Sequence, residues 1–136
     1  MADNLSNDLE TRLLDYMLHT ANSTNFASPA SLWVGLCTAA PSDAAPNECG
    51  AGGYARKQVA FTTASSGSSQ GPTATTNFDQ ATTSWGTISG YAVFDEATGS
   101  SGATHYLFYG AVSPTVAVTA NDTVSFAASA MTLSFE

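Results

Sequence analysis

Few side chains in this 136-residue sequence could do chemistry, and their types and spacing bound the functions open to it. His19 and His105 lie far apart, and neither carries an obvious carboxylate or cysteine partner. A hydrolytic centre needs a nucleophile beside a base, and a cation or oriented N–H for the developing negative charge. With Arg12, Arg56 and Lys57 as the whole cationic inventory, no enzyme is expected. Cys37 and Cys49 show neither metal nor redox spacing. Cys37, in an apolar run, is expected to be a buried thiol. Cys49 sits in a Pro/Gly loop, and synthesis in the cytoplasm argues against a disulfide between them. Asp95-Glu96 could offer oxygens to calcium, but such a site needs several converging ligands. The pair reads as turn acids making local backbone bonds. Trp33 and Trp85 could stack on sugars, yet each lies beside a glycine in a strand-like run and is expected in the core. No cofactor and no metal are expected.

Composition narrows the partners. Charged residues make up 10% of the chain, against roughly 25% in an ordinary soluble domain. Ser and Thr supply about a quarter of the residues and take over the task of solvation. The net charge is −8. Three cations cannot displace the counterions of a nucleic acid, and an anionic membrane surface is disfavoured for the same reason. No run approaches the about 18 apolar residues of a membrane span. Met1-Ala2-Asp3-Asn4 lacks the basic start of a signal peptide, so assembly in the cytoplasm is expected. Without a secretion signal, Asn22-Ser23-Thr24 and Asn121-Asp122-Thr123 are chance matches to the glycan acceptor pattern.

The elements that position these residues are mainly β. Leu5, Leu9, Leu13, Leu14, Met17 and Leu18 form one apolar stripe and predict an N-terminal amphipathic α-helix capped by Ser6 or Asn7. Strands are predicted at 31–38, loosely at 54–61, and at 86–94, 104–110, 122–126 and 131–135. Asp95 through Gly102 reads as a hairpin loop, and Thr62 to Thr76, nearly all Ser, Thr, Gly and Ala, as an exposed loop or edge. His105-Tyr106-Leu107-Phe108-Tyr109 is apolar on both faces, as on a strand covered from two sides. The expected architecture is an antiparallel β-sandwich over residues 23–136 with a helical arm at 1–22.

Several segments together carry a resemblance. They are Leu9-Glu10-Thr11-Arg12-Leu13-Leu14-Asp15, Leu32-Trp33-Val34-Gly35-Leu36-Cys37-Thr38, and Glu48 followed by Gly52-Gly53-Tyr54-Ala55-Arg56. Trp85-Gly86-Thr87-Ile88, Phe94-Asp95-Glu96, Leu107-Phe108-Tyr109-Gly110 and Phe126-Ala127-Ala128-Ser129-Ala130-Met131 continue it in order. The chain resembles a family of small virion proteins of tailed bacteriophages and prophages, often named tail fibre or structural protein. It departs from that pattern in the Ser65–Thr73 insertion and in Cys49. The resemblance implies a structural component of the virion with no catalytic residues. The small size favours a head decoration or cement protein, as a homotrimer bound to the major capsid protein. Candidate subunit contacts are Leu9, Leu13, Leu14, Met17, Tyr106 and Phe108. The alternative is a tail fibre or tail-tip component that binds a host receptor, with Tyr54 or Tyr91 as contacts.

Overall fold

The computed structural model of the chain describes residues 5–18, 29–98 and 106–134. His19, His105, Asn22-Ser23-Thr24 and the expected domain boundary at 22/23 lie outside them. The element order is α1 (Asn7–Met17), β1 (Leu32–Cys37), β2 (Lys57–Val59), β3 (Ser68–Gly71), β4 (Thr76–Asn77), β5 (Gly86–Phe94), β6 (Tyr106–Val118), β7 (Ser125–Phe126) and β8 (Met131–Ser134). The fold is mainly β, wholly antiparallel in its pairings, with one N-terminal helix.

A four-stranded sheet in the order β2-β1-β5-β6 forms the body. Two ribbons, β3-β8 and β4-β7, accompany it. Alternation along the strands gives the body sheet two apolar faces. Val34, Leu36 and Ile88 pack with Met131 of β8 and with Phe78, and Phe126 of β7 closes over them. The opposite face carries Cys37, Ala92, Phe94 and Tyr106. A loop over residues 38–50 lies on that face: the Tyr106 hydroxyl donates to the Ser42 carbonyl at 3.1 Å, and the Tyr109 hydroxyl donates to Asp43.

Two irregularities interrupt the β5–β6 ladder. Val93 pairs with Phe108 but Phe94 pairs with Tyr106, so Leu107 is an extra residue in a β-bulge. The bulge sends Tyr106 and Phe108 to opposite faces, where plain alternation would have aligned them. Nearer the other end, Ile88 pairs with Val116 and Gly90 with Ala111, so residues 112–115 arch away opposite the single residue Ser89.

The helix is fastened at the first of these irregularities. Ser6, fully buried, is the N-cap: its side-chain oxygen accepts from the Leu9 N–H at 3.3 Å. Its own hydroxyl donates to the Tyr106 carbonyl and its N–H to the Leu107 carbonyl at 2.8 Å. Leu5 pairs with Phe108 at the edge of β6, and Leu9 packs on the cluster of Val93, Leu107 and Phe108. Arg12 ties the outer face of α1 to Asp95 at the end of β5, at 3.1 Å.

The Ser/Thr stretch at 62–76 departs from a plain loop. Ser68–Gly71 pairs along its length with β8, and Gly71 and Pro72 are buried. Backbone pairing needs no apolar side chain, which is why composition hid the strand. Likewise β6 runs on to Val118 through an apolar but Pro-interrupted segment, past the expected end at 110. Trp85 is buried as expected, its indole N–H donating to the Gly52 carbonyl at 3.0 Å. Trp33 is only half-buried.

Candidate functional site

The most highly connected polar cluster lies on the loop side of the body sheet. β1 pairs with β2 only over Leu32–Val34, so the end of β1 must find other partners. The loop after it supplies them. Cys49 N–H donates to the Leu36 carbonyl at 2.8 Å, Thr38 N–H to the Asn47 carbonyl at 3.1 Å, and Cys37 bridges to Glu48. Between these and β2, the Leu36 N–H donates to the Tyr54 hydroxyl at 2.9 Å. That hydroxyl in turn donates to Glu48 Oε1 at 2.7 Å.

Arg56 completes the cluster. Its guanidinium grips Glu48 bidentately, Nε to Oε1 at 2.8 Å and Nη2 to Oε2 at 2.7 Å. Nη1 reaches the Glu96 carbonyl at 3.1 Å, and the guanidinium carbon stands 3.4 Å from the centre of the Phe94 ring. The Arg56 and Glu48 side chains are 4% and 10% exposed, so the pair is a desolvated one, with geometry that satisfies both ions. Burial first, then the charge of Glu48, raises Tyr54 far above the ordinary phenol range, so it stays a neutral donor. Gly35 makes room for all of this. A Cβ there would stand 2.6 Å from Glu48 Oε1 and 2.7 Å from the Tyr54 hydroxyl. Gly53, at φ +81°, lets the loop turn where a Cβ would meet the backbone of Gln80 and Thr82 at 3.0 Å.

This cluster is a lock, and its groups are spent on one another. The cysteines beside it are free and buried. Because Cys37 bridges to Glu48, the next residue, Cys49, points through to the opposite face. Cys37 packs with Phe94 and Tyr106, Cys49 with Val34 and Leu36. Burial, then the neighbouring Glu48 charge, pushes the Cys37 thiol up to about 12, so it is protonated and a poor nucleophile. Among the described residues no cluster of three or more His, Cys, Asp and Glu side chains could hold a metal ion.

The expected contact residues divide sharply. Tyr106 is fully buried under the 38–50 loop, and Phe108 is buried on the other face against Leu5, Leu9 and Phe61. The chain itself supplies both covers of this strand, so neither residue reaches a surface. Leu9 and Leu13 are half-buried. Leu14 and Met17 project into solvent, 56% and 69% exposed, and the C-cap residue Leu18 joins them at 69%. Leu18 was within reach of the helical periodicity; Glu48 as the partner of Arg56 was not, since only the fold brings them together.

A second surface feature went unsignalled in the sequence. The arch at 112–115 and the β7 segment border an apolar cleft of about 370 Å³, with Tyr91, Val112, Pro114, Val116, Val124 and Phe126 in its walls. Val116 is exposed at its rim. The two aromatics expected as receptor contacts are placed otherwise: Tyr54 is committed to the Glu48–Arg56 lock, and Tyr91 is a half-buried wall of this cleft.

No curated protein matches the chain. A family model does, over residues 4–134, and its description is Podophage GP4 fiber I protein gp80.

Proposed function

Because the chain belongs to the podophage GP4 fiber I protein gp80 family, a family of tailed-phage virion structural proteins, we propose that it is a non-enzymatic building block of a tail fibre. The match over residues 4–134 carries this reading and favours the fibre alternative over a head decoration protein. The geometry is in keeping with it. Glu48, Tyr54 and Arg56 saturate one another inside the fold, and the surface offers hydroxyls and a short apolar helix end. Such a chain supplies a mildly acidic, hydroxyl-rich unit with contacts to other virion proteins. The deciding experiment is gold labelling of an epitope-tagged chain on purified virions, with its copy number measured against the major capsid protein. Label on the tail and a copy number far below the capsid protein are expected. Label over the head at a copy number comparable to the capsid protein would return the decoration reading.

A further inference from the structure

Among the described residues, β6 is the longest strand and forms one edge of the body sheet, with β2 at the other. The two edges differ in what keeps a neighbouring chain from pairing with them. β2 is three residues long, and its Lys57 pairs with Asp79 at 2.6 Å. β6 is thirteen residues long. Its opening run, Tyr106-Leu107-Phe108-Tyr109-Gly110-Ala111-Val112, is aromatic and aliphatic, with no charge and no proline. On an open strand edge, such a run pairs with copies of itself. The Leu107 carbonyl points out of the sheet edge, where it accepts from the Ser6 N–H. The strand period of two aims the backbone groups of Tyr109 and Ala111 the same way.

The N-terminal segment lies along this run. Leu5 bridges antiparallel to Phe108, and Ser6 serves the carbonyls of Tyr106 and Leu107. Beyond them the arch at 112–115 breaks the edge by its own shape. The hold of the helix is light: none of the residues Asn7–Met17 is buried, and of these Leu9 packs on the cluster of Val93, Leu107 and Phe108. Asn7 N–H donates to the Asp43 carbonyl at 3.1 Å, and the Arg12–Asp95 ion pair is partly exposed, which makes it weak. Segments with so few buried contacts open locally while the rest of a fold stays closed. We propose that Leu5–Met17 is a releasable guard. Seated, it closes the β6 edge; lifted, it leaves the 106–112 run free to pair with the same run of a second copy. An antiparallel edge is its own complement across a two-fold axis, so one surface serves both partners. The device is internal to each chain and independent of where the protein sits on the virion.

The test uses the full-length chain carrying Leu5→Asp and Leu9→Asp, which removes both apolar anchors of the guard and leaves β6 unchanged. The two added negative charges would by themselves oppose association. The variant is expected to keep its sheet by near-ultraviolet circular dichroism, to lose amide protection over residues 5–17 in hydrogen exchange, and to shift to larger species in sedimentation velocity. Adding Ala111→Pro removes an outward N–H that the body sheet does not use, a change that edge strands tolerate. It is expected to return the released chain to the sedimentation of the wild type. A folded Leu5→Asp, Leu9→Asp chain that sediments like wild type would overturn the guard, as would association that survives Ala111→Pro. If the double variant fails to fold, hydrogen exchange of the wild-type chain in sub-denaturing urea decides. Helix amides that open before those of β1 and β5 support a releasable guard; helix amides that open only with the whole fold overturn it.

Discussion

Arg56 is the only buried cation among the described residues, and its fate sets the stability of the loop side of the fold. Removing its carboxylate leaves a guanidinium stranded in a desolvated site. Glu48→Ala is therefore expected to cost about 3–5 kcal/mol and lower the unfolding temperature by roughly 10–15 °C. Differential scanning calorimetry checks this, and a loss under ~1 kcal/mol would class the pair with surface ion pairs. Arg56→Lys is expected to recover little, since an ammonium lacks the fork that meets both carboxylate oxygens. The thiol of Cys37 makes a second prediction. Its ordinary value of 9.0 applies when unfolded, whereas the folded thiol ionises only near about 12. Between those values the folded state holds the proton that the unfolded state has lost, so stability falls as pH rises. Burial of Tyr54, Tyr91 and Tyr106 adds a decline of the same sign above their ordinary 10.0. Urea midpoints tracked upward from pH 9.0 are expected to drop, and less steeply in Cys37→Ala.

Ser6 carries more of the helix than its size implies. Its side-chain oxygen caps α1, while its hydroxyl and N–H serve two carbonyls released by the Leu107 bulge. Ser6→Ala removes the cap and strands a buried carbonyl, a loss of about 2–4 kcal/mol. Fading of the helical circular dichroism before the sheet unfolds is the expected signature; a single coincident transition would show that α1 and the sheet stay cooperative without this cap. The helix and its stripe were readable because a 3.6-residue period survives whatever the helix packs on. β1 and β5 were readable as apolar, β-branched runs, whereas the strand expected at 122–126 shortens to Ser125–Phe126. β3 was not, because Ser68-Ser69-Gln70-Gly71 pairs through its backbone and shows no alternation. Nor was the division of Tyr106 from Phe108, since one extra residue in the ladder reverses every face beyond it. The lock was half readable: Glu48 and Gly52 to Arg56 stand out as a pattern, but the contacts among them depend on a loop returning across β1.

For the entire chain, charge and apolar surface act in opposite directions on assembly. Copies at −8 repel, while the apolar side chains left exposed at the end of α1 favour contact. Raising salt shortens the reach of the repulsion to about 3 Å at 1 M and leaves apolar burial intact. A contact made through the exposed apolar end of α1 is therefore expected to strengthen with added sodium chloride in sedimentation velocity, where a contact built on ion pairs would weaken. Leu14→Asp together with Met17→Asp is expected to abolish incorporation into particles while the sheet remains folded, as read by near-ultraviolet circular dichroism. The two cysteines set a different property of the molecule. A virion protein is made inside a cell and persists outside it, and thiols that face one another across a fold would cross that boundary as a liability. Here one strand pairing turns Cys37 and Cys49 to opposite sides of a sheet, with a layer of backbone between them. A bond between them would therefore require the strands to part first, so oxidation of this pair is gated by opening of the sheet.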